Sequence, residues 1–209
     1  MNVLVISKPV YRIETERLVI RCWDPKDAAL MQEAAAASKE HLLPFMPWAA
    51  DEPQTVQQKV ELARRFRGLF DRSEDYVYGI FDQTESRALG GTGLHTRLNG
   101  NALEIGYWIR QDVSKQGYVT ESTAALTKVA FELYQVDRME IHCSVENLAS
   151  AAIPRKLGYT HEATRRRLGY ANGKSSDSMI WTLFADEYPN TPSTAAIIRA
   201  FDVVGNSLL

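Results

Sequence analysis

The stretch VSKQGYVTE, residues 113–121, joins a strand-like segment to a helix-like segment through a turn that contains Gly117. A helix that begins directly after a strand exposes backbone N–H groups that have no partner inside the helix. These groups and the positive end of the helix dipole are suited to holding a phosphate. The residue types alone leave two interpretations open, a phosphate cradle and a plain connection between two elements.

Composition limits the class of protein. The chain has 209 residues, 45% of them hydrophobic, which is enough for one well-filled core. The net charge of −2 provides no basic field for nucleic acid. Cys22 and Cys143 lie far apart in apolar runs and show neither a metal-binding spacing nor a disulfide framework. Because no segment reads as a signal peptide or membrane span, we expect a cytoplasmic protein without membrane, nucleic-acid or metal partners.

Hydrophobic periodicity predicts strands and helices in a single domain. ERLVIRCW alternates as a strand does, and DPKDAALMQEAAAASKE predicts a helix capped by Asp24. Asn99-Gly100 predicts a hairpin with a type I′ turn, and Asn172-Gly173 predicts a second hairpin. A strand–turn–helix–strand unit places residues 113–121 at the end of a strand and the start of a helix, where open sheets bind ligands. A second helix, predicted from Pro53 onward, has one apolar stripe: Val56, Val60, Ala63 and Phe70.

Five short motifs of the sequence, in this order, resemble those of the GCN5-related N-acetyltransferase (GNAT) family. They are ETERLVIRCWDPKDA, GTGLH, EIGYWI, GYVTE and ENLASAAIPRKLGYTHEATRR, and the resemblance spans residues 14 to 184. The nearest branch is the RimJ/RimL type, which acetylates the N-termini of ribosomal proteins. The resemblance implies an α+β protein with the GNAT fold, in which helices flank a mixed, mostly antiparallel twisted sheet of about seven strands.

The resemblance assigns residues 113–121 to the family's pyrophosphate loop. Gly117 keeps the central glycine of the pattern Arg/Gln-x-x-Gly-x-Gly/Ala, whereas Ser114 and Val119 depart from it. Backbone N–H groups hold the phosphates in such a loop, so most side chains are tolerated and the cradle is the favoured interpretation. Lys115 is placed to restore a positive charge. The loop residues expected to bind acetyl-CoA are Ser114, Lys115, Gln116, Gly117, Tyr118, Val119 and Thr120.

The resemblance also implies sites for the rest of acetyl-CoA. Tyr107, Trp108 and Ile109 match a strand that splays from its neighbour and offers backbone groups to the pantetheine arm and the thioester. Plain sheet packing is the alternative for these residues. Asn147 matches a residue that hydrogen-bonds the pantetheine arm, and its alternative is a turn at the end of a strand.

Two residues are expected to be catalytic. Ser150 matches the family position beside the thioester sulfur, where its hydroxyl can protonate the departing thiolate; the alternative is a helix N-cap. Glu104 enters the strand that holds the thioester and can accept the amine proton directly or through water. Its alternative is a solvated strand end. A strong base is not required if the amine binds partly neutral, because α-amino groups titrate near ~8.

The acceptor site is expected to include Phe45, Trp48 and His95. Phe45 and Trp48 lie in a proline-broken segment and can form an apolar wall, or they can simply pack on the core. His95, in GTGLH, lines the pocket or is a hydrogen-bonded strand histidine. The run Arg165-Arg166-Arg167 attracts an acidic acceptor or the 3′-phosphate of CoA, or it is a solvated strand edge.

These assignments predict an enzyme that moves an acetyl group from acetyl-CoA to a primary amine by direct attack on the thioester. The expected acceptor is a protein N-terminal α-amine. The alternatives are a small amine, such as an antibiotic or polyamine, and a non-catalytic acyl-CoA-binding protein with the same fold.

The ends of the chain lie outside the resemblance. We expect an extension over residues 1–13, the acetyltransferase domain over 14–187 and a tail over 188–209. MNVLVISKPV is expected to add a strand, and the tail to form a short helix docked on the sheet or on a second subunit of a homodimer. The apolar stripe of that helix is Ile197, Ile198, Phe201 and Val204.

Overall fold

The structure is a computed structural model that describes residue 6 and residues 8–209. In this part of the chain nine strands form one sheet with five α-helices around it. No helix among these residues is long and apolar enough to cross a membrane. The strands are β1 (Arg12–Glu14), β2 (Leu18–Cys22), β3 (Tyr76–Asp82), β4 (Ala88–His95), β5 (Ala102–Ile109), β6 (Arg138–Ser144), β7 (Thr160–Ala171), β8 (Lys174–Phe184) and β9 (Arg199–Phe201). The helices are α1 (Ala28–Ala36), α2 (Lys39–Leu42), α3 (Val56–Asp71), α4 (Tyr118–Glu132) and α5 (Leu148–Lys156).

The strand order is β7-β8-β6-β5-β4-β3-β2-β1-β9. Every neighbouring pair is antiparallel except β5 and β6, which are parallel because α4 connects them. The predicted α+β fold with a mixed, mostly antiparallel sheet is therefore confirmed. The sheet has two more strands than predicted, since β1 and β9 have three residues each and are too short to show an alternating pattern.

Strands β5 and β6 are paired only at their beginnings. Three residue pairs join them, and the last pair is Glu104 with Glu140. Beyond it β5 continues to Ile109, paired with β4, and β6 continues to Ser144, paired with β8. The two strands therefore part while each stays fixed on its other side. Backbone groups that face this gap, which we call the β5–β6 opening, have no strand partner there.

The two faces of the sheet are covered differently. On β5, Ile105 and Tyr107 face the cluster that packs on α4, whereas Trp108 packs with the cluster beneath α1 and α3. On β6, Ile141 belongs to the α4 cluster, so the alternation of side chains turns His142 to the other face. The opening thus connects an α4 face with an α1/α3 face.

The two Asn-Gly turns differ. Asn172 and Gly173 both have positive φ, 50° and 78°, and they close the β7–β8 hairpin as a two-residue turn. The type I′ prediction for Asn99-Gly100 is wrong, because only Gly100 is left-handed there, with φ of 82°. The β4–β5 connection is longer, and its Arg97 turns back onto β5.

Two other local predictions are corrected. Helix α3 begins at Val56 because Thr55 and Gln58 form a capping box, and Val56 is 46% exposed instead of lying on the buried stripe. The tail forms two short 3₁₀ helices, Tyr188–Asn190 and Pro192–Ala195, but no helix that contains the predicted stripe. Its residues 199–201 pair with β1 as β9, and Val204 is 76% exposed. The strand expected within MNVLVISKPV lies mostly outside the described residues.

Candidate active site

The start of α4 has the form of an anion site. Gly117 is its N-cap, with φ of 86°, and no side chain of the described residues caps this end. The first helical hydrogen bond is donated by the N–H of Glu121 to the carbonyl of Gly117, at 3.0 Å. The N–H groups of residues 118–120 are therefore left without helical acceptors. Gly117 is needed here because its backbone conformation is costly for any residue with a Cβ.

An arginine from a distant turn supports this loop. Arg17 donates from Nη1 to the carbonyl of Gln116 at 3.0 Å and from Nε to Glu121 at 2.7 Å. Its guanidinium also lies 4.7 Å from the centre of the Tyr118 ring. A guanidinium that is paired with Glu121 therefore lies beside the loop, although Ser114 stands where the family pattern has Arg or Gln. Sequence reasoning missed Arg17, since it lies 99 residues from Gln116 in the chain.

Tyr107 and Ser150 meet on the α4 face of the β5–β6 opening. The Ser150 hydroxyl donates to the Tyr107 oxygen at 3.2 Å, and the Tyr107 hydroxyl donates to the Ser150 carbonyl at 3.0 Å. That carbonyl is free because Pro154, four residues later within α5, has no N–H to donate to it. Burial raises the pKa of Tyr107, so its phenol stays protonated in the ordinary pH range.

Asn147, not Ser150, caps helix α5. The Asn147 side chain accepts a hydrogen bond from the N–H of Ser150 at 3.1 Å. Ser150 occupies the third helical position, so the N-cap alternative for its hydroxyl is wrong. The cap uses neither the Ser150 hydroxyl, which lies at the opening and donates to Tyr107, nor the amide nitrogen of Asn147.

A cavity of about 1400 Å³ lies mainly on the α1/α3 face and extends through the opening to Tyr107, Asn147 and Ser150. Phe45, Trp48 and Trp108 line it, and the two tryptophan rings meet edge to face with centroids 5.6 Å apart. Trp108 can lie flat on the sheet only because position 91 is glycine, where a Cβ would come within 2.5 Å of the indole nitrogen. The cavity is thus an aromatic-walled space that reaches the opening.

Charged side chains line the floor of this cavity. Glu104 is almost buried and forms a bidentate ion pair with Arg97, whose Nε lies 2.7 Å from Oε2. His142 lies between two carboxylates, with Nε2 2.6 Å from Glu140 and Nδ1 3.6 Å from Glu104. These side chains form a continuous polar network at the point where β5 and β6 part.

His95 sits beside this network. Its Nδ1 lies 2.8 Å from Asp75, and its ring covers the backbone at positions 93 and 106. Both His95 and Asp75 line the cavity. The geometry combines the two interpretations from the sequence, since His95 is a hydrogen-bonded strand histidine that also faces the space for an acceptor.

Comparison with known proteins identifies the fold. The family model described as "Acetyltransferase (GNAT) domain" matches residues 17–160. The chain belongs to the GNAT acetyltransferase family. It is therefore an acyltransferase enzyme, and acetyl-CoA is its co-substrate.

Several relatives of this GNAT enzyme are named for ribosomal substrates. A Bacillus subtilis (strain 168) protein named "Putative ribosomal N-acetyltransferase YdaF" is 26% identical over 175 residues, which cover 83% of this chain and 94% of that protein. The [Ribosomal protein uS5]-alanine N-acetyltransferase of Escherichia coli (strain K12) is 22% identical, with coverage of 86% and 94%. The structure of Mycobacterium smegmatis RimJ in complex with CoA-disulfide has a TM-score of 0.77 at 20% identity, covering 88% of this chain and 91% of that chain.

The structure of this acetyltransferase brings half of the predicted site residues together in the cavity and places the other half elsewhere. The loop of residues 114–120 and Ile109 lie outside the cavity lining, on the side of α4. Arg165 lines the cavity, whereas the next two arginines are exposed on the edge strand β7. The predicted residues that share the cavity are Phe45, Trp48, His95, Glu104, Tyr107, Trp108, Asn147 and Ser150.

Sequence reasoning missed two members of the site. The segment MEIHCSV alternates as a strand does and puts His142 on one face, but nothing in that pattern shows that the face borders a cavity. Arg97 belongs to the β4–β5 connection, whose shape the sequence mispredicted. The alternation of β6 was the one available signal, and it becomes informative only when the strand order is known.

Proposed function

We propose that this enzyme transfers the acetyl group of acetyl-CoA to the α-amine at a protein N-terminus. The observation that carries the proposal is the β5–β6 opening, which joins Ser150 and Tyr107 on one face to the large cavity on the other. An acyl donor held on the α4 face can meet an acceptor that enters from the α1/α3 face. The names of the relatives support a protein acceptor.

In the proposed reaction, the phosphates of acetyl-CoA bind at the start of α4 and the pantetheine arm follows β5 past Asn147. Unpaired backbone groups of residues 107–109 hold the thioester and polarise its carbonyl. The amine nitrogen attacks the carbonyl carbon, a C–N bond forms, and the C–S bond breaks. The Ser150 hydroxyl gives its proton to the thiolate and takes one back from solvent water, and Tyr107 keeps that hydroxyl in place.

The lining of the cavity favours a peptide over a small amine. Aromatic walls suit the first side chains of an extended peptide. Asp75 and Glu104 suit the approach of a terminal ammonium group.

A panel of acceptors tests this proposal. Thiol release from acetyl-CoA is measured with peptides that have a free N-terminus, with the same peptides N-formylated, and with polyamines and aminoglycosides. We expect turnover only with free peptide N-termini and slower turnover in Ser150→Ala. Turnover of a small amine combined with none for any peptide would reject a protein acceptor.

We also propose that the enzyme works in the cytoplasm, as ribosomal acceptors would require, and that it forms a homodimer. Exposed apolar side chains in the tail support the dimer: Ile197 is 85% exposed and Val203 56%. Sedimentation of the wild type and of Ile197→Ser tests it. A wild-type protein that sediments as a monomer at micromolar concentration would reject the dimer.

A further inference from the structure

His142 occupies a particular position on β6. The last residue pair that joins β5 to β6 is Glu104 with Glu140, and the strands part beyond it. Ile141 packs in the α4 cluster, so His142 is the first residue past this point whose side chain lies on the α1/α3 face, and it lines the cavity. Its imidazole is 19% exposed. The ring therefore borders the place where an acceptor amine in the cavity reaches the opening.

The hydrogen bonds of His142 define which nitrogen is available. Nε2 lies 2.6 Å from Oε2 of Glu140, and we assign the proton to Nε2 because a carboxylate only accepts. Nδ1 then presents a lone pair. It lies 3.6 Å from Oε2 of Glu104, beyond hydrogen-bond distance, so no donor among these groups occupies it.

Glu104 is less suited to take a proton. Both of its oxygens already accept hydrogen bonds from the guanidinium of Arg97. Protonation of either oxygen would break this bidentate pair. Glu140 is likewise paired, since Arg138 donates to its Oε1 at 2.7 Å. Both carboxylates are instead placed to stabilise a positive charge on His142.

From the β4–β5 connection, Arg97 binds the Glu104 oxygen that lies near Nδ1. Strand β8 places Ile180 opposite His142, and Glu162 on β7 accepts a hydrogen bond from Thr182. On β4, His95 is paired with Asp75. Among the described ion pairs, the carboxylates that contact His142 are therefore those of Glu104 and Glu140.

We propose that His142 is the catalytic base that accepts the proton of the acceptor amine. This inference rests on the proposed acetyl transfer. As the amine nitrogen bonds to the thioester carbon, one of its N–H protons moves to Nδ1, while the thiolate sulfur takes the proton of Ser150. The resulting imidazolium lies between Glu104 and Glu140. Solvent water then returns a proton to Ser150, and His142 releases its proton to solvent. Imidazole suits this role because it takes up and releases protons between about pH 5 and 8.

The test compares wild type, His142→Gln, His142→Asn and Glu104→Gln in single-turnover transfer across pH, with the best acceptor of the panel. His41→Gln is the matched control, since His41 is exposed and lies outside the cavity. We expect both His142 variants to lose about 10²–10⁴-fold in rate while acetyl-CoA affinity, measured by calorimetry, stays within twofold. Glu104→Gln is expected to lose less, and His41→Gln nothing.

The pH profile separates a base from a purely structural residue. The wild-type rate should rise with pH, because a general base accepts the amine proton only in its unprotonated form. In both His142 variants this rise should disappear, leaving only the rise from the deprotonation of the amine itself near ~8. Unchanged rates and profiles in both variants would overturn the inference. A wild type that acetylates only small amines would instead reject the protein acceptor, and the same variants then test His142 with that amine.

Discussion

At the residue scale, the site depends on a few groups held by contacts that have a local cause. Pro154 leaves the Ser150 carbonyl without a helical donor, and the Tyr107 hydroxyl fills that place at 3.0 Å. Gly117 allows α4 to begin in a left-handed conformation that exposes its N–H groups. In each case the backbone property of one residue sets the position of a group at the site. Each feature can therefore be tested by a single substitution.

Gly117→Val is expected to weaken acetyl-CoA binding at least about tenfold, which is ~1.4 kcal/mol. A β-branched residue at φ of 86° is strained, and its side chain occupies the approach of the phosphate. Gly100→Val is the matched control, because Gly100 has φ of 82° and no atom near the position of a Cβ. Titration calorimetry should show a loss of affinity only in Gly117→Val. Urea unfolding should show a similar loss of stability in both variants. Equal affinities would contradict the phosphate cradle. Ser114→Ala should bind like the wild type.

Ser150→Ala is expected to lower the single-turnover rate about 10- to 100-fold and to leave acetyl-CoA affinity nearly unchanged. The loss falls on the chemical step because the thiolate forms only as the C–S bond breaks. Stability should change little, since Asn147 provides the cap of α5. Asn147→Ala should instead mainly lower stability, with ~1 kcal/mol lost from the free energy of unfolding. Urea unfolding and quenched-flow transfer measure the two effects, and an unchanged rate in Ser150→Ala would remove it from the mechanism.

At the scale of elements, the active site exists because two parallel strands stop pairing after Glu104 and Glu140. The sequence predicted the long strands and α4 well, since alternation and the 3.6-residue period extend over seven or more residues in each. It could not predict β1 and β9, which are too short to show an alternating pattern. It also could not predict the ion pair between Glu104 and Arg97, which depends on the shape of a loop. The roles of residues within one continuous motif could be predicted from the sequence. The roles of His142 and Arg17 could not, because they depend on contacts between distant segments.

Pro154→Ala tests how α5 is coupled to β5. The new N–H would donate to the Ser150 carbonyl, as in a regular helix, and the Tyr107 hydroxyl would lose its acceptor. We expect equal or higher thermal stability, because proline is unfavourable inside helices, together with a several-fold lower rate of transfer. Thermal unfolding and single-turnover kinetics of the same preparation check both effects. A variant with the wild-type rate would show that this coupling does not matter for catalysis.

At the scale of the whole molecule, the α4 face is rich in buried phenols. Burial raises the pKa of Tyr78, Tyr134 and Tyr159, in addition to that of Tyr107. In the unfolded chain these groups ionise near ~10, while in the folded protein they stay protonated to higher pH. The stability contributed by keeping them neutral is therefore fully present below about pH 10 and is lost as pH rises above it.

These tyrosines are accordingly expected to leave the free energy of unfolding unchanged up to about pH 9. Above pH 10 the free energy of unfolding should fall, by up to ~1.4 kcal/mol per pH unit for each buried tyrosine. Tyr159→Phe removes one such phenol, which is hydrogen-bonded to Thr127 at 2.7 Å. Urea unfolding at a series of alkaline pH values should give this variant a shallower decline. Identical slopes for the variant and the wild type would show that Tyr159 does not contribute.

The measurement that tests the central claim most directly is the position of the acetyl group in the product. A peptide with one free α-amine and one internal lysine is incubated with the enzyme and acetyl-CoA, and the product is mapped by tandem mass spectrometry. An acceptor that enters the cavity end-first and reaches the β5–β6 opening should be acetylated at the α-amine, and Ser150→Ala should form the same product more slowly. Acetylation at the lysine, or none while small amines are acetylated, would contradict the account.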